Sequence, residues 1–279
     1  IAITDEAQLA AMRAVRPGAN EGQVHALVDY TFRMQGASGP SFRAIIGSGP
    51  NSTSYHYRAN DRVMQAGEVV VMDIGALYDD YAADVTRTVP VSGTFSPDQA
   101  AIYAVVRQAQ QAAEAVAKAG APVRDGESAI RAVLDRELAR LGLTEGPGAT
   151  FDPPWADAAR CERVPVVCTQ AFLYMAHGPG HGIGLEVHDI GGYSYSPTGS
   201  FQLNEVFTLE PGVYVSTALL DMLADTPKNR AFIAKVRPVV ERYNRIGIRI
   251  EDDYLVTASG VEWLSKAPRE IGEIQAVMK

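Results

Sequence analysis

Apolar side chains recur every three or four residues in several segments, and this period predicts amphipathic helices. The first helix carries Leu9, Met12 and Val15 behind the capping residues Thr4-Asp5-Glu6, and the second runs through Val24 to Phe32 and ends at Gly36. Ser96-Pro97 opens a third helix that continues to Val116, because proline is favourable at a first helical position. A fourth helix is predicted from Glu127 to Leu141.

Other apolar runs are short and rich in β-branched residues, which is typical of buried strands. Strands are predicted at 42–46, as a pair within 68–90, and at 206–214, 246–251 and 254–257, whereas 142–164 is interrupted by glycine and proline and reads as a loop. Helices and strands do not alternate in the rhythm of a parallel sheet. We therefore expect one α+β domain over residues 1–279.

Composition narrows the class of protein further. The 279 residues are 47% hydrophobic with a net charge of −8, which excludes a disordered chain and makes nucleic-acid binding unexpected. The chain has no apolar run of the roughly 18 residues that a membrane helix needs. Cys161 and Cys168 are interpreted as two ordinary thiols, which indicates a reducing, cytoplasmic location, although a single disulfide between them stays open.

Carboxylates within apolar strands are the most informative anomaly of the sequence. Asp73 directly follows Val69 to Met72, and Asp84 lies in the next strand. If the connecting turn is centred between Tyr78 and Asp79, the two carboxylates face each other across an antiparallel pair, about 4.5–5.5 Å apart. Two buried like charges at that separation require a cation between them.

The same pattern recurs twice towards the C-terminus. Glu210 follows the run Val206 to Leu209, and Glu251 follows a run from Ile246 in which Arg249 lies on the same strand face. Any one of these acids could instead be a solvent-facing residue at a strand end. Four of them together favour a site.

Histidines add a nitrogen ligand to this set. His177, His181 and His188 lie within twelve residues, but the intervening glycines exclude the helical zinc motif with two histidines four residues apart. His56 is isolated and equally compatible with a solvated loop. One imidazole with four carboxylates favours manganese, cobalt or iron over a cysteine-rich zinc site, and five ligands suffice for two ions.

These segments resemble the creatinase/methionine-aminopeptidase superfamily, which has the pita-bread fold. The likeness rests on Asp73-Ile74-Gly75 with Ala83 to Thr88, on His177 to Asp189, on Glu210 to Tyr214, and on Gly247 to Asp253. The nearest likeness is the proline-peptidase branch, aminopeptidase P and prolidase. The resemblance implies a curved antiparallel sheet covered by helices. It also implies that the N-terminal domain usual in this branch has no counterpart in the chain.

Carried over by position, the resemblance implies the roles of individual residues. The metal ligands would be Asp73, Asp84, His181, Glu210 and Glu251, holding two divalent ions, with Mn²⁺ favoured over Co²⁺, Zn²⁺ or Fe²⁺. His56, His177, His188, Glu210 and Arg249 would serve catalysis, and Tyr55, Tyr57 and Tyr193 are candidates for the wall of a proline pocket. The expected reaction is hydrolysis of an N-terminal Xaa-Pro bond by a hydroxide bridging the ions, in a homodimer, with a peptide carrying proline at its second position as substrate.

Three functions follow, in decreasing order of support. A dipeptidase must hold the free carboxylate of its substrate, which arginine suits, and prolidases tend to carry one before the Glu-Pro-Gly segment. The interval between His188 and Glu210 contains no lysine or arginine, which favours an Xaa-Pro aminopeptidase acting on longer peptides over an Xaa-Pro dipeptidase. A non-catalytic peptide-binding protein on the same fold is the third interpretation, and the complete ligand set argues against it.

Overall fold

The computed structural model describes residues 1–154 and 158–279, in which helices pack around short antiparallel sheets. The helices are α1 Ala2–Ala14, α2 Glu21–Met34, α3 Pro97–Glu114, α4 Val123–Leu141, α5 Ala158–Arg163, α6 Thr217–Asp221, α7 Pro227–Arg242 and α8 Ile271–Val277. The strands are β1 Gly39–Pro40, β2 Ile45–Ser48, β3 Val69–Ile74, β4 Ala76–Tyr78, β5 Tyr81–Ala82, β6 Val85–Pro90, β7 Val206–Leu209, β8 Gly212–Val215, β9 Ile246–Arg249, β10 Asp252–Val256 and β11 Val261–Trp263.

Strand β3 is the centre of the molecule. It pairs antiparallel with β2 on one side and β6 on the other, and every residue of β3 and β6 is buried. Two further antiparallel units follow in the chain, the pair β8–β9 and the order β11-β10-β7. The predicted α+β fold with antiparallel sheets is therefore confirmed. It brings the ends of β3, β7 and β9 to one region.

The helices cover these sheets through their apolar faces. Helix α3 begins at the predicted position, where the Ser96 hydroxyl and the Gln99 side chain form a reciprocal capping box. Helix α1 differs from the prediction because it begins at Ala2. Thr4 therefore does not cap it, and its hydroxyl instead accepts a hydrogen bond from the Ala76 amide.

The hairpin between the first two acidic strands has a different register from the predicted one. Asp79 and Asp80 both have positive φ, so they form the two-residue turn that matches the twist of a hairpin. The turn is therefore centred one residue later than predicted. Asp73 pairs with Thr86 and not with Asp84, which lies between β5 and β6.

Other differences lie in the second half of the chain. Helix α7 was not predicted, because Pro238 within it and its many charged residues weakened the helical pattern. The loop predicted at 142–164 includes α5. Cys161 and Cys168 form a disulfide, so the interpretation as two ordinary thiols is wrong. Among the described residues, no helix is long and apolar enough to cross a bilayer.

Candidate active site

A cavity of about 500 Å³, here called the main cavity, gathers most of the predicted site residues. Its wall includes Phe42, Arg43, Ile45, Tyr55, His56, Arg58, Asp73, Asp84, His177, His181, His188, Glu210, Arg249 and Glu251. All nine residues assigned to the site from the sequence are in this wall. The four acids Asp73, Asp84, Glu210 and Glu251, here called the carboxylate cluster, come from four separate segments of the chain.

Three side chains form the most tightly assembled part of the site. Ligand atoms of Asp84, His181 and Glu251 all lie within 4.8 Å of one another, and all three residues are buried. The His181 Nε2 atom is 3.6 Å from an Asp84 oxygen and 3.8 Å from a Glu251 oxygen. Glu210 Oε1 approaches the same nitrogen at 3.9 Å. This arrangement provides a mixed oxygen and nitrogen ligand set.

Close backbone approach explains how the histidine segment reaches the carboxylates. The segment crosses β7, where the Thr208 amide donates to the His181 carbonyl at 2.7 Å and the Glu210 amide donates to the Pro179 carbonyl at 2.8 Å. A Cβ atom at Gly180 would lie 2.0 Å from the Thr208 carbonyl oxygen, so only glycine permits this crossing. The crossing fixes the His181 imidazole beside Glu210.

The orientation of His181 follows from its second ring nitrogen. Its Nδ1 atom lies 3.0 Å from the Gly182 carbonyl, which accepts a hydrogen bond only if Nδ1 carries the proton. This tautomer leaves Nε2 with a free lone pair facing the carboxylates. Burial lowers the pKa of His181 to about 4, so the ring is neutral near pH 7.

Arg249 is the cation that the structure places within the carboxylate cluster. Its guanidinium donates to Asp73 Oδ2 at 2.5 Å and to the Tyr214 hydroxyl at 2.9 Å. Its Nε atom lies 3.3 Å from the Thr86 hydroxyl, which in turn donates to Glu251 at 2.8 Å. Arg249 thus orients two of the four acids, Asp73 directly and Glu251 through Thr86.

His177 belongs to a different hydrogen-bond chain from His181. Its Nε2 atom lies 3.0 Å from the Tyr214 hydroxyl, and its Nδ1 atom lies 2.7 Å from the Gly178 carbonyl. Because the Tyr214 hydroxyl accepts from Arg249, its proton points to His177 Nε2, and Nδ1–H donates to Gly178. Burial, followed by the charge of Arg249, lowers the pKa of His177 to about 3. Both ring nitrogens are therefore engaged by protein groups.

The carboxylate cluster carries more negative charge than its surroundings offset. Burial raises the pKa of Glu210 to about 8, with Arg249 opposing the shift and Asp73 adding to it. Burial, and then repulsion by neighbouring acids, raises the pKa values of Asp84 and Glu251 well above their usual range. In the absence of another cation the cluster therefore favours the protonated forms of these three acids.

The remaining predicted residues lie around the cluster. His188 stands 4.1 Å from the His181 ring, centroid to centroid, and is exposed to the main cavity, as is His56. Tyr55 lines the cavity, as predicted for a wall residue. Tyr57 does not, because its hydroxyl donates to Glu21 at 2.8 Å. Tyr193 packs instead against Phe201 and Phe207.

Several residues at the site received no role from the sequence. Tyr214 and Thr86 lie within predicted strands, and only the observed register shows that they face Arg249 and Glu251. Asp253 is fully buried behind Asp84, and burial raises its pKa to about 8. Arg43 and Arg58 line the main cavity from segments distant from the predicted motifs. The pairing of the two strands could have suggested Tyr214, because it lies opposite Gly247, which is two residues from Arg249 on the same strand face.

The donor set fits bound divalent cations. Asp73 Oδ1, Asp84 Oδ1 and Glu251 Oε1 are buried oxygens with no hydrogen-bond partner among the described residues. An unpartnered buried carboxylate oxygen is costly unless a cation coordinates it. Oxygen-rich ligands with one imidazole suit manganese and related ions.

Comparison with known proteins defines the class. The model of metallopeptidase family M24 matches residues 1–258, and the chain belongs to that family. Its fold is accordingly the pita-bread fold expected from the sequence, in the proline-peptidase branch. Use of a divalent metal follows from this membership together with the cluster of Asp84, His181 and Glu251.

Individual relatives carry two kinds of name. An Xaa-Pro aminopeptidase of Haemophilus influenzae is 32% identical, with 99% of this chain and 57% of that protein covered. The Xaa-Pro dipeptidase of Homo sapiens is 33% identical with the same two coverages. The solved structure of Escherichia coli aminopeptidase P with the inhibitor Pro-Leu has a TM-score of 0.78 at 30% identity and covers 99% of this chain and 56% of that one. The chain thus spans little more than half the length of these relatives.

Proposed function

We propose that the protein is a metal-dependent exopeptidase that hydrolyses the N-terminal Xaa-Pro bond of peptides, as an Xaa-Pro aminopeptidase. The buried group of Asp84, His181 and Glu251 in the wall of an open cavity carries this proposal, because it offers oxygen and nitrogen ligands beside the space a peptide would enter. Relatives named Xaa-Pro aminopeptidase support the choice of bond.

The ligands of the metal centre would be Asp73, Asp84, His181, Glu210 and Glu251. Five side chains, four of them carboxylates, suffice for two ions, and their oxygen-rich composition favours Mn²⁺ over Co²⁺, Zn²⁺ or Fe²⁺. When bound, the ions supply Lewis acidity that polarises the scissile carbonyl and acidifies the attacking water.

Glu210 is proposed to move the proton. It borders the cavity more openly than Glu251, with 21% of its side chain exposed against 2%. Its Oε1 atom lies 3.9 Å from His181 Nε2, beside the proposed ligands, where a carboxylate can accept a proton from the attacking water and release it again. We assign to Glu210 the transfer of the proton from the attacking water to the proline nitrogen as the peptide bond breaks.

His188 is the better placed of the two candidate donors to the oxyanion. Both nitrogens of His177 are engaged, by Gly178 and by Tyr214, so that ring positions its neighbours. His188 is exposed to the cavity beside His181, and no hydrogen bond to its ring is found among the described residues. It can therefore donate to the oxygen of the tetrahedral intermediate.

The substrate would enter with its α-amine towards the carboxylates. A protonated amine complements negative charge at one end of the cavity, which explains a preference for peptide N-termini. Proline has no amide hydrogen, so its imide bond requires a pocket that recognises ring shape. His56 and Tyr55, both in the cavity wall, are proposed to contact that ring.

Metal removal and one substitution test the proposal. Dialysis against a chelator should abolish hydrolysis of an Xaa-Pro peptide, and Mn²⁺ should restore it. Asp84→Asn should lose bound metal and rate together, whereas Asp98→Asn, a half-buried acid in the first turn of α3 that pairs with Arg242 and does not line the cavity, should change neither. Full activity in metal-free protein, or an unchanged metal content in the Asp84 variant, would contradict the assignment.

Two alternative functions can be distinguished from the proposed one by assay. The human relative is named Xaa-Pro dipeptidase, which favours a prolidase activity as the second candidate. A bradykinin-like Arg-Pro peptide and the dipeptide Gly-Pro distinguish them, since cleavage of only the dipeptide would replace the aminopeptidase by a prolidase. Metal bound with neither peptide cleaved would instead indicate a peptide-binding protein on this fold.

Assembly and location complete the proposal. We include a homodimer, supported by the exposed Tyr78, Tyr81 and Leu185, which lie on segments joined by the hydrogen bond from the Ala82 amide to the Gly184 carbonyl. Light scattering coupled to size-exclusion chromatography tests the homodimer.

The predicted cytoplasmic location stays a prediction, and the disulfide argues against it because such bonds persist in oxidising compartments. Thiol titration of the denatured protein isolated under thiol-blocking conditions measures whether the bond forms in the cell.

A further inference from the structure

Two arginines in the wall of the main cavity have no assigned role. Arg43 immediately precedes Ala44 and strand β2, and Arg58 lies two residues after His56. Both are exposed, and among the described residues neither has a hydrogen-bond or ion-pair partner. Arg249, which lines the same cavity, is fully engaged by Asp73 and Tyr214. Arg43 and Arg58 are therefore the guanidinium groups that remain available to an incoming ligand.

The segment that carries Arg58 is fixed to the body of the protein. The Tyr57 hydroxyl donates to the buried Glu21 at 2.8 Å, and the Arg62 amide donates to the same carboxylate at 3.0 Å. The side chain of Asn60 bonds to the backbone of Ala44, which directly follows Arg43. The two arginines thus start from linked, well-anchored backbone, and the cost of ordering them around an anion is reduced.

The charges of the cavity are therefore divided between two groups. The carboxylate cluster and the two free guanidinium groups line the same cavity, and Arg43 precedes by two residues Ile45, which pairs with Asp73, so its backbone lies at most about 7 Å along the chain from that pairing position. A peptide with a positive α-amine and a negative C-terminal carboxylate is complementary to this division only if it is short. An extended peptide advances about 3.3–3.6 Å per residue, so a di- or tripeptide spans roughly 7–11 Å.

We infer that Arg43 and Arg58 bind the C-terminal carboxylate of the substrate, and that the preferred substrates are Xaa-Pro di- and tripeptides with a free C-terminus. The inference rests on the proposed function and narrows its substrate class. Arginine suits a carboxylate because its planar fork donates two parallel hydrogen bonds. The absence of arginine between His188 and Glu210 then no longer favours longer peptides, since other segments supply the cation.

The test compares free acids with amides in the Mn²⁺-loaded full chain. Ala-Pro and Ala-Pro-Ala are each assayed as the acid and as the C-terminal amide, with wild type, Arg43→Gln, Arg58→Gln and the double variant. The wild type should prefer the acid at one or both lengths. The variants should raise KM for that acid about 10- to 100-fold, with kcat and the amide little changed. Arg13→Gln, which alters an exposed arginine on α1, should change nothing.

The outcomes separate this inference from the function on which it rests. Equal use of acids and amides by the wild type, or an equal loss for both in the variants, overturns the role of the arginines and leaves the hydrolase proposal intact. If the wild type cleaves no peptide, the hydrolase proposal fails. Calorimetric binding of Ala-Pro and its amide to the same proteins then decides, because binding of the acid that is lost in the double variant supports the carboxylate site and unchanged binding overturns it.

Discussion

The surplus of buried acids predicts that the metal-free protein loses stability as the pH rises towards 8. Glu210 has a pKa of about 8 in the folded state, against an ordinary value of 4.5, so the folded protein binds its proton more tightly than the unfolded chain does. Stability then falls with rising pH between those two values and is constant above the higher one. Asp253 shifts in the same direction, also to about 8, through burial.

Two histidines oppose this trend at lower pH and define where to measure. His177 and His181 have folded pKa values of about 3 and about 4, below the ordinary 6.5, so their contribution rises with pH up to 6.5 and then ends. Between pH 6.5 and 8 the acids act without them. Each unit of that interval is worth about 1.4 kcal/mol per group, which gives about 2 kcal/mol for Glu210 and a similar amount for Asp253.

Access of Glu210 to cavity water reduces its share, so the expected total loss is about 2–4 kcal/mol. For a chain of this size each kcal/mol corresponds to roughly 2–4 °C in Tm, which predicts a decrease of roughly 5–15 °C from pH 6.5 to 8. Differential scanning calorimetry with a chelator measures it. The same scan with Mn²⁺ should show a higher Tm and a smaller decrease, since the cation replaces the proton of Glu210 while Asp253, which is not a proposed ligand, still titrates. A metal-free Tm that is flat or rising over the interval would refute the reasoning.

Three further predictions concern separate parts of the molecule. His188→Ala should lower kcat about 10²- to 10³-fold with metal content unchanged, because a donor to the oxyanion is lost, and elemental analysis beside kinetics measures both. If that variant released metal, His188 would be a ligand and not a donor. Glu21→Ala should lower the free energy of unfolding by about 3 kcal/mol in urea titrations, because the Tyr57 hydroxyl and its neighbouring donors lose their buried acceptor. A stability close to that of the wild type would mean that water or another group satisfies those donors. Reduction of the disulfide between Cys161 and Cys168 should cost about 2–3 kcal/mol, seen as a lower Tm with dithiothreitol and no further change in a variant with both cysteines replaced by serine. An equal effect of dithiothreitol on that variant would show that the reagent acts elsewhere.

The sequence allowed most of the site to be predicted because burial of charge is a strong constraint. Asp73 and Glu251 stand beside apolar runs that can only be core strands, and such positions tolerate acids only with a cation nearby. The histidine segment was recognisable for a similar reason, since its glycines exclude a helix. Residues that are unusual for their local context, such as acids in buried strands, therefore predicted most of the site.

Strand register and long-range contacts were harder to predict from the sequence. The turn at Asp79 and Asp80 depends on two non-glycine residues with positive φ, which a pattern of apolar positions does not reveal. The incorrectly centred turn placed Asp84 opposite Asp73, although the residue that pairs with Asp73 is Thr86. The proximity of the acids survived this error because the Glu251 amide donates to the Thr86 carbonyl, two residues after Asp84, which holds the two acidic segments together.

The arginines show a second limit. Arg43 and Arg58 enter the cavity from segments with no recognisable chemistry, and their availability depends on what they fail to contact after folding. Helix α7 was missed because Pro238 lies within it and its apolar stripe is narrow, with Phe232, Val236 and Val240 as its buried members. In both cases the deciding fact is tertiary packing, which local patterns do not encode.

The hydrogen-bond chain from Arg249 through Tyr214 to His177 has a consequence for how the protein titrates. Arginine stays protonated throughout, burial raises the pKa of the Tyr214 hydroxyl far above neutrality, and the pKa of His177 is about 3. None of the three changes its charge between pH 5 and 9. A limb of the pH–rate profile in that range must therefore come from groups outside this hydrogen-bond chain, and the arrangement of Arg249, Tyr214 and His177 stays the same across the whole profile.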